Sequence, residues 1–428
     1  MSLKDSPICS ALILVKNTNS DSPVTKEIYP KDFSLENEKS QLESSVRFPK
    51  ESHSSFISVF NTHSYCCTAF NFPERGTFYS IVALSKFPFY DFFRFMFNAM
   101  KKAFDNGYTY PSSIEKFDCI RSAISNLPKH NYHDLKIVPS PEMYSSQYVP
   151  PSYKITVPIS NIVFLYNFTH NSFTYEKFKP SQYFTQNEYI NIWHSLLIND
   201  PVLIVTKDHI NGPLSVLAAA SLFSPLPFTD EMCLWLNSTD PRFKMIKNGK
   251  SKLLLCATHP DNLSKIKNYF KMIINLRPTI NEPDTGFDLE IYKMMRRTLF
   301  VIGDALNKYS IKNDPYYNII ESEINQQLIS EAFKKNSSVD LPTLEEVKDF
   351  EKTQSFKDWR LNLNPGEEDR DVFLNIDPEN YFKDRSLGDL QKIEKNIGIL
   401  IENYSRDAHI VAVLKHHRKV IHNMLSCD

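Results

Sequence analysis

Amphipathic helices alternate with short apolar runs between residues 187 and 273, and this alternation restricts the fold more than any other feature. A helix is predicted at Asn187–Ile198, and Val202–Val205 is a continuous apolar run typical of a strand buried on both faces. The elements predicted next are a helix at Pro213–Phe223 capped by Asn211, strands at Cys233–Leu236 and Lys252–Ala257, and a helix carrying Leu263, Ile266, Phe270 and Ile273. Such alternation predicts an α/β layer with parallel strands.

The N-terminal region has a different pattern. Ile8–Lys16 and Val24–Tyr29 are two strand-like runs joined by a polar loop, which predicts a hairpin. Three further strand-like runs follow, at Phe56–Phe60, Tyr65–Phe70 and Thr77–Leu84. From Pro88 to Phe104 the apolar residues recur every three or four positions, and many of them are aromatic, so an amphipathic helix is predicted there. This region is therefore predicted as an antiparallel sheet followed by helices.

Prolines and polar residues between 128 and 153 interrupt the chain before the alternating region, and helical periodicity returns after residue 286. We therefore predict an α+β and α/β multidomain protein. Its parts are an N-terminal sheet module at 1–130, a linker at 131–153, a central α/β module at 154–280 and a helical module at 281–428.

Composition excludes several classes of function. Only 9 of 428 residues are glycine, about 2% against a usual share of about 7%, which weakens any phosphate-loop fold. The segment Asn248–Ser251 ends like a P-loop but precedes a strand, so a polar hairpin turn is favoured. The formal charge of −1 argues against a nucleic-acid partner bound through an overall basic field. Seven scattered cysteines without CxxC spacing indicate reduced thiols in a cytosolic protein, and no apolar run reaches the about 18 residues of a membrane span.

No motif of bond-making chemistry is found, so neither a catalytic residue, a metal site nor a cofactor is predicted. The histidines His409, His416, His417 and His422 lack the spacing of a zinc site. Because lysines and arginines stand among them, a solvated basic face is favoured, with contact to acidic phospholipid as the functional alternative.

A family resemblance rests on six short segments in a fixed order. They are Glu27–Pro30, Arg75–Gly76, Leu84–Pro88, Trp193–Leu197, Asn199–Pro201 and Ser224–Leu226. In this order and spacing the chain resembles the DENN-domain family, and within it the branch of DENN domain-containing protein 6. The resemblance spans residues 8 to 306. It implies a longin-like upstream module with an antiparallel sheet, a central α/β module and a downstream helical module.

The resemblance also implies a function, guanine-nucleotide exchange on a Rab-family small GTPase in vesicle traffic. The protein would be cytoplasmic and recruited peripherally to endosomal, Golgi or other vesicle membranes. In the family the GTPase contacts both the longin-like and the central module. By motif position, the predicted partner-binding residues are Phe89, Tyr90, Asp91 and Arg94 at the start of the aromatic helix and Asn199 and Asp200 in a helix–strand turn.

The alternative function is a non-catalytic scaffold subunit of a larger GTPase-regulating complex. Some relatives of this architecture act on GTP hydrolysis, and a stimulating arginine would then lie on an exposed loop. Arg75 and Arg242 are the candidates for that role. An obligate subunit is also expected to expose a large apolar patch.

Overall fold

The chain divides into two compact units. The first comprises residues 1–137 and 149–293, and the second comprises residues 138–148 and 294–428. A computed structural model describes residues 7–17, 23–36, 38–46, 54–105, 111–130, 132, 135, 152–159, 162–277, 282–313, 315–316, 331, 342–361, 372–404 and 407–426. The first unit contains both an antiparallel and a parallel sheet, so the fold is mixed α/β.

Five strands of the first unit form an antiparallel sheet in the order β2-β1-β5-β4-β3. They are β1 (Ala11–Asn17), β2 (Val24–Tyr29), β3 (Phe56–Asn61), β4 (Cys66–Glu74) and β5 (Thr77–Ser85). The predicted β1–β2 hairpin is confirmed, with Ile13 opposite Ile28. The apolar stretches 11–15 of β1 and 81–84 of β5 are buried on both faces because helices cover both faces of the sheet.

Successive side chains along each strand point to opposite faces of this sheet. Ile13 and Val82 face helix α1 (Lys39–Ser45), whose Leu42 packs against them. Their neighbours along the strands, with Leu12 and Ala83 among them, belong to the opposite face. That second face is covered by α2 (Tyr90–Asp105) and α3 (Ser113–Ser125).

Helix α2 is the predicted aromatic helix, and it packs on two sides rather than one. On its second side lies a two-stranded hairpin, β6 (Ser152–Ile159) and β7 (Ile162–Thr169), which the sequence did not predict. Phe168 of β7 lies 4.5 Å from Phe89, centroid to centroid. The aromatic residues exceed what one sheet face can cover, and this second layer explains the excess.

The predicted linker at 131–153 is therefore partly structural. Tyr132 and Leu135 within it are fully buried in the same aromatic cluster, and β6 begins at its Ser152. Most other residues of the predicted linker lie outside the described part of the chain. The antiparallel and parallel sheets on either side of it belong to one compact unit.

The predicted parallel layer is present. Its sheet has the order β11-β8-β10-β9, with strands β8 (Val202–Val205), β9 (Met232–Leu236), β10 (Leu255–Thr258) and β11 (Met272–Asn275). The prediction of a helix that continues to Ile273 is wrong. The apolar run from Met272 to Ile274 belongs to strand β11, which pairs with β8.

Helices cover both faces of the parallel sheet. Helix α4 (Pro180–Tyr183) packs on α6 (Asn211–Ala220), and the helices that cover the sheet are α5 (Gln186–Leu197), α6, α7 (Pro241–Lys247) and α8 (Pro260–Ile266). Helices α7 and α8 pack against Leu203 and Cys256 on one face, while α5 and α6 contact the other strand faces. The backbone N–H groups of Ile210 and Asn211 at the start of α6 donate to the Asp208 carboxylate, so Asp208 replaces Asn211 as the capping residue.

The two sheets meet at their edge strands, β3 and β9. The side-chain amide of Asn61, the last residue of β3, donates to the Met232 carbonyl at 2.8 Å. Its oxygen accepts from the Leu234 backbone N–H, also at 2.8 Å. One side chain thus satisfies a donor and an acceptor on the edge of β9, where a further strand would otherwise pair.

The second unit is helical in its described part. It contains most of α9 (Thr285–Asn313), which begins in the first unit, followed by α10 (Leu344–Phe350), α11 (Gln354–Leu361), α12 (Pro378–Phe382), α13 (Leu387–Asn403) and α14 (Ala408–Ser426). Helices α13 and α14 pack together through Ile393, Ile397 and Ile410. Ser386 caps α13 by accepting from the Asp389 N–H.

Replacing Asn61 by Leu should destabilise the first unit by about 2 kcal/mol, because the Leu234 N–H would be buried without an acceptor. Urea unfolding measures this change when it is followed by the fluorescence of Trp235 in β9, in a Trp193→Phe/Trp359→Phe background. Asn98→Leu is the control, since Asn98 is exposed on α2. Equal stability of the two variants would show that Asn61 does not hold the sheets together.

Candidate functional site

A groove of about 580 Å³ opens in the first unit where the two sheets meet. Both sheet modules contribute to its walls. The lining comes from the β3–β4 turn (61–66), the β5–α2 junction (86–88 and Tyr90), Phe173, Tyr175, the segment that enters β9 (227–232) and Arg242. Its volume lies in the range of protein ligand pockets, and its position between two modules is a common one for binding sites.

The floor of the groove is apolar and aromatic. Phe87, Tyr90, Phe173 and Phe228 line it and are all buried. Phe87 and Phe173 belong to the aromatic cluster around α2, so the floor is continuous with the core. A floor of this kind holds its shape without a ligand, because its side chains are packed from below.

Tyr175 in the lining has a backbone conformation that side chains rarely adopt. Its φ is +60°, in the left-handed region, although it is neither glycine nor asparagine. Such a conformation costs about 1–3 kcal/mol and persists only where the surroundings enforce it. Strained residues of this type concentrate at functional sites, which marks the groove as a candidate.

Arg242 forms one wall of the groove through a buried ion pair. Its guanidinium lies 2.8 Å from Asp240 Oδ2 and donates to the Asn61 carbonyl at 3.0 Å. Asp240 is 1% exposed and also accepts from the Arg242 backbone N–H at the start of α7. Burial by itself would lower the pKa of Arg242, but the neighbouring Cys233 and Asp240 raise it, so the guanidinium stays charged.

The rim of the groove is polar and carries both signs of charge. Lys86 and Glu231 are exposed on it, and His63 lies beside them. Helix α1 holds the His63 turn in place, since the Gln41 side-chain oxygen accepts from the His63 N–H at 2.7 Å. An apolar floor with a polar rim is the usual anatomy of a protein-binding surface.

The titratable groups of the floor are neutral at physiological pH. Burial raises the pKa of the Cys66 thiol to about 11. Burial also raises the pKa of the Tyr90 phenol well above its ordinary value. These two groups therefore offer neutral contacts to a ligand and are not activated as nucleophiles.

The structure corrects two of the predicted partner-binding residues. Phe89 and Tyr90 are 0% and 1% exposed, so neither is an exposed anchor for a partner. Phe89 packs in the aromatic layer between the sheet and the hairpin, where it meets Phe168, whereas the Tyr90 ring packs near Tyr175. Tyr90 still reaches the groove from below as part of its floor.

Asp91 and Arg94 lie on the hairpin side of α2 and are half-buried. The Tyr166 hydroxyl donates to Asp91 Oδ2, and burial raises the pKa of this carboxyl. The Arg94 guanidinium stacks on the Phe178 ring at 5.6 Å, and burial lowers its pKa. Both charges are thus engaged within the chain and are not part of the groove lining.

Asn199 and Asp200 form the turn between α5 and β8. Asn199 is exposed and has a φ of +62°, which asparagine tolerates. Strands β8, β10 and β9 are parallel and begin at the same level. The turn therefore lies at the same end of the parallel strands as Glu231. With one strand between them, the separation is about 10 Å. The turn is therefore close to the groove without lining it.

No protein-family model matches this chain, and no curated protein matches it either. The family resemblance therefore stays a prediction. Among the residues that the structure describes, no helix is long and apolar enough to cross a membrane. The same residues contain no cluster of His, Cys, Asp and Glu side chains that could hold a metal ion.

Three further sequence interpretations change with the structure. Arg242 is buried in its ion pair, so it cannot serve as an exposed stimulating arginine, whereas Arg75 is exposed in the β4–β5 turn. Asn248–Ser251 follows a helix, α7, and is therefore not a hairpin turn; Asn248 is the C-cap of α7 and Gly249 has a φ of +65°. His417 is buried and is not part of a solvated face.

Several residues of the groove were not recognised in the sequence, among them Asn61, Tyr175 and Phe228. The polar run Asn61–Ser64 signals a turn, and the prolines at 225 and 227 signal a break before β9. Neither signal shows that the two segments face each other. Their meeting depends on edge strands that are distant in sequence.

Arg242→Met should destabilise the first unit by about 3 kcal/mol, because it leaves the Asp240 carboxylate buried without its partner. The double variant Asp240→Asn/Arg242→Met should recover at least about 1 kcal/mol of this loss in urea unfolding. Arg277→Met is the control, since the ion pair of Arg277 with Glu188 is exposed and should contribute less than about 1 kcal/mol. A loss for Arg242→Met no greater than for the control would contradict the assigned role of the pair.

The second unit should lose stability as the pH falls from about 6.5 towards 4. Burial, followed by the nearby His416, lowers the pKa of His417 to about 4, and its Nδ1 lies 2.8 Å from the Tyr316 hydroxyl. Between these pH values His417 is protonated in the unfolded chain but not in the folded chain. This difference lowers the free energy of unfolding by about 1–2 kcal/mol at about pH 5. This stability is fully present above about pH 6.5.

Urea unfolding at about pH 7.5 and about pH 5 tests this expectation. Fluorescence should be read in a Trp193→Phe/Trp235→Phe background, where Trp359 of the second unit is the one remaining tryptophan. His417→Gln should flatten the pH dependence, and the exposed His409→Gln should keep it. An unchanged pH dependence in His417→Gln would rule His417 out as its source.

Proposed function

We propose that this protein is a guanine-nucleotide exchange factor for a Rab-family small GTPase. The observation that carries the proposal is the origin of the groove walls. Residues 61–66 come from the antiparallel-sheet module, and residues 227–232 come from the central α/β module. The family resemblance implies a GTPase that contacts these same two modules. The groove is a shared surface of the kind that such binding requires.

Exchange needs binding energy but no bond-making group. A factor that binds the nucleotide-free GTPase more tightly than the loaded form lowers the nucleotide affinity by the same ratio. A nucleotide held at a picomolar Kd is bound by about 16 kcal/mol, so several kcal/mol must come from contacts made only in the nucleotide-free complex. An interface with a few well-packed anchors can supply that amount.

The groove supplies surfaces of this type. Its aromatic floor can accept an apolar side chain of the partner, while Lys86 and Glu231 on the rim can pair with charges around it. The buried pair Asp240–Arg242 holds one wall in place, and the surroundings of Tyr175 are rigid enough to enforce its unfavourable backbone conformation. A preformed groove lowers the cost of ordering on binding. The proposed site of action is the cytoplasmic surface of endosomal or other vesicle membranes.

The second candidate function is the scaffold subunit. It is favoured by the outer face of the β6–β7 hairpin, where Val163 and Leu165 are 66% and 68% exposed. Large apolar side chains at this exposure are common in surfaces that a permanent partner covers. An obligate subunit should associate or precipitate when it is purified alone, whereas a monodisperse monomer favours the exchange factor.

The test is release of a fluorescent GDP analogue from a panel of Rab GTPases, with and without the purified chain. We expect one or two members to release nucleotide about a hundredfold faster, which corresponds to a barrier lowered by about 2.7 kcal/mol. No acceleration of any member by the folded protein would overturn the proposal and favour the scaffold.

The groove is tested with the double charge reversal Lys86→Glu/Glu231→Lys, which keeps the net charge and should slow exchange at least about tenfold. The control is Lys26→Glu/Glu27→Lys on β2, the strand at the opposite end of the antiparallel sheet. Full activity in the groove variant, with both variants folded, would exclude this groove as the binding site while leaving the exchange activity itself intact.

A further inference from the structure

The layer formed by α7 and α8 carries an unusual concentration of positive charge. Seven lysines between residues 241 and 275 are all exposed, namely Lys244, Lys247, Lys250, Lys252, Lys265, Lys267 and Lys271. Asp261 is the one acidic residue in this stretch, and Arg242 is neutralised by Asp240. The whole chain has a formal charge of −1, so the charge is concentrated locally.

Lys244, Lys247 and Lys265 lie on α7 and α8, and the other four lysines lie in the segments that flank these helices. Phe243, Ile246 and Ile266 point inward and pack on the parallel sheet with Leu203 and Cys256, which leaves the lysines to face solvent. Within the described part of the chain, none of the seven lies within 4.0 Å of an acidic side chain. A locally positive surface of this kind attracts polyanions.

Two apolar side chains stand among the lysines. Met245 is 44% exposed beside Lys244, and Ile273 is 39% exposed in β11, close in sequence to Lys271. A lysine-rich surface that also presents exposed apolar side chains matches a lipid interface. The lysines can reach phosphate headgroups there while the apolar groups enter the boundary of the acyl chains.

We propose that this lysine surface docks the protein on an anionic phospholipid membrane. The composition of the layer separates lipid from nucleic acid. The aromatic residues that could stack on bases are engaged inside, since Phe243 and Phe270 are buried and the Tyr269 hydroxyl donates to the Ser251 and Leu253 carbonyls. Arg242 is the single arginine of the stretch, and it is buried. These residues therefore offer no exposed guanidinium group for bidentate hydrogen bonds to base edges.

This inference does not rest on the exchange activity, and the groove and the lysine surface are separate sets of residues. A lysine near an anionic membrane strengthens binding by about fivefold. Removal of four of the seven charges should therefore weaken binding by about a hundredfold or more. Added salt should weaken it further, because the charges are exposed and easily screened.

The experiment is co-sedimentation of the full chain with vesicles of phosphatidylcholine, either pure or with about one quarter phosphatidylserine. The test variant is Lys244→Gln/Lys247→Gln/Lys265→Gln/Lys267→Gln. The matched control replaces four exposed lysines elsewhere in the first unit, Lys26→Gln/Lys31→Gln/Lys102→Gln/Lys207→Gln. Both variants lose four positive charges, so they differ in position alone. Thermal unfolding checks that both remain folded.

We expect the wild type and the control to bind the phosphatidylserine vesicles and to ignore pure phosphatidylcholine, while the test variant loses binding about a hundredfold. Equal losses of vesicle binding in both variants would show that net charge alone causes the effect, and this result would overturn the proposal. Wild-type protein that fails to bind the anionic vesicles would also overturn it. Tighter binding to a single-stranded oligonucleotide at the same salt concentration would assign the surface to nucleic acid instead.

Discussion

The arrangement of the first unit depends on the contact between the edge strands β3 and β9, which we call the joint. Asn61 completes the hydrogen bonding of the β9 edge, and Arg242 ties the Asn61 carbonyl to Asp240 at the start of α7. Two edge strands that could each have recruited another chain are thereby turned towards one another. The groove exists because the sheets meet at this one edge, leaving a cleft between the β3–β4 turn and the segment that enters β9.

The aromatic residues around α2 support this joint from one side. Phe89, Phe92 and Phe168 form a layer between the antiparallel sheet and the β6–β7 hairpin, and Phe87 and Phe173 extend that layer to the groove floor. The same stretch of sequence therefore builds the core and shapes the binding surface. Phe89 lies inside for this reason, and Tyr90 is buried beneath the groove beside Tyr175, although their position in the motif suggested an exposed role.

Local periodicity predicted most of the helices and strands, but it did not predict which of them pack against one another. The runs at Val202–Val205 and Val24–Tyr29 specify their strands because their side-chain patterns are set within the element. The helix expected through Ile273 was wrong because Met272–Ile274 is too short to show a period, and its pairing with β8 decides it. The role of Asn61 depends on a strand about 170 residues away, which no local pattern shows. Tyr175 gives no signal at all, since its strain arises from its surroundings.

If this joint couples the two sheets, they open as a single cooperative body, and native-state hydrogen exchange measures that cooperativity. Amides of Val82 in β5 and Leu203 in β8 lie in central strands of the two sheets. If the joint holds, both should exchange with the same free energy of opening and respond to urea with the same slope. Opening of β8 at a free energy lower by about 2 kcal/mol or more, with β5 still protected, would contradict the account.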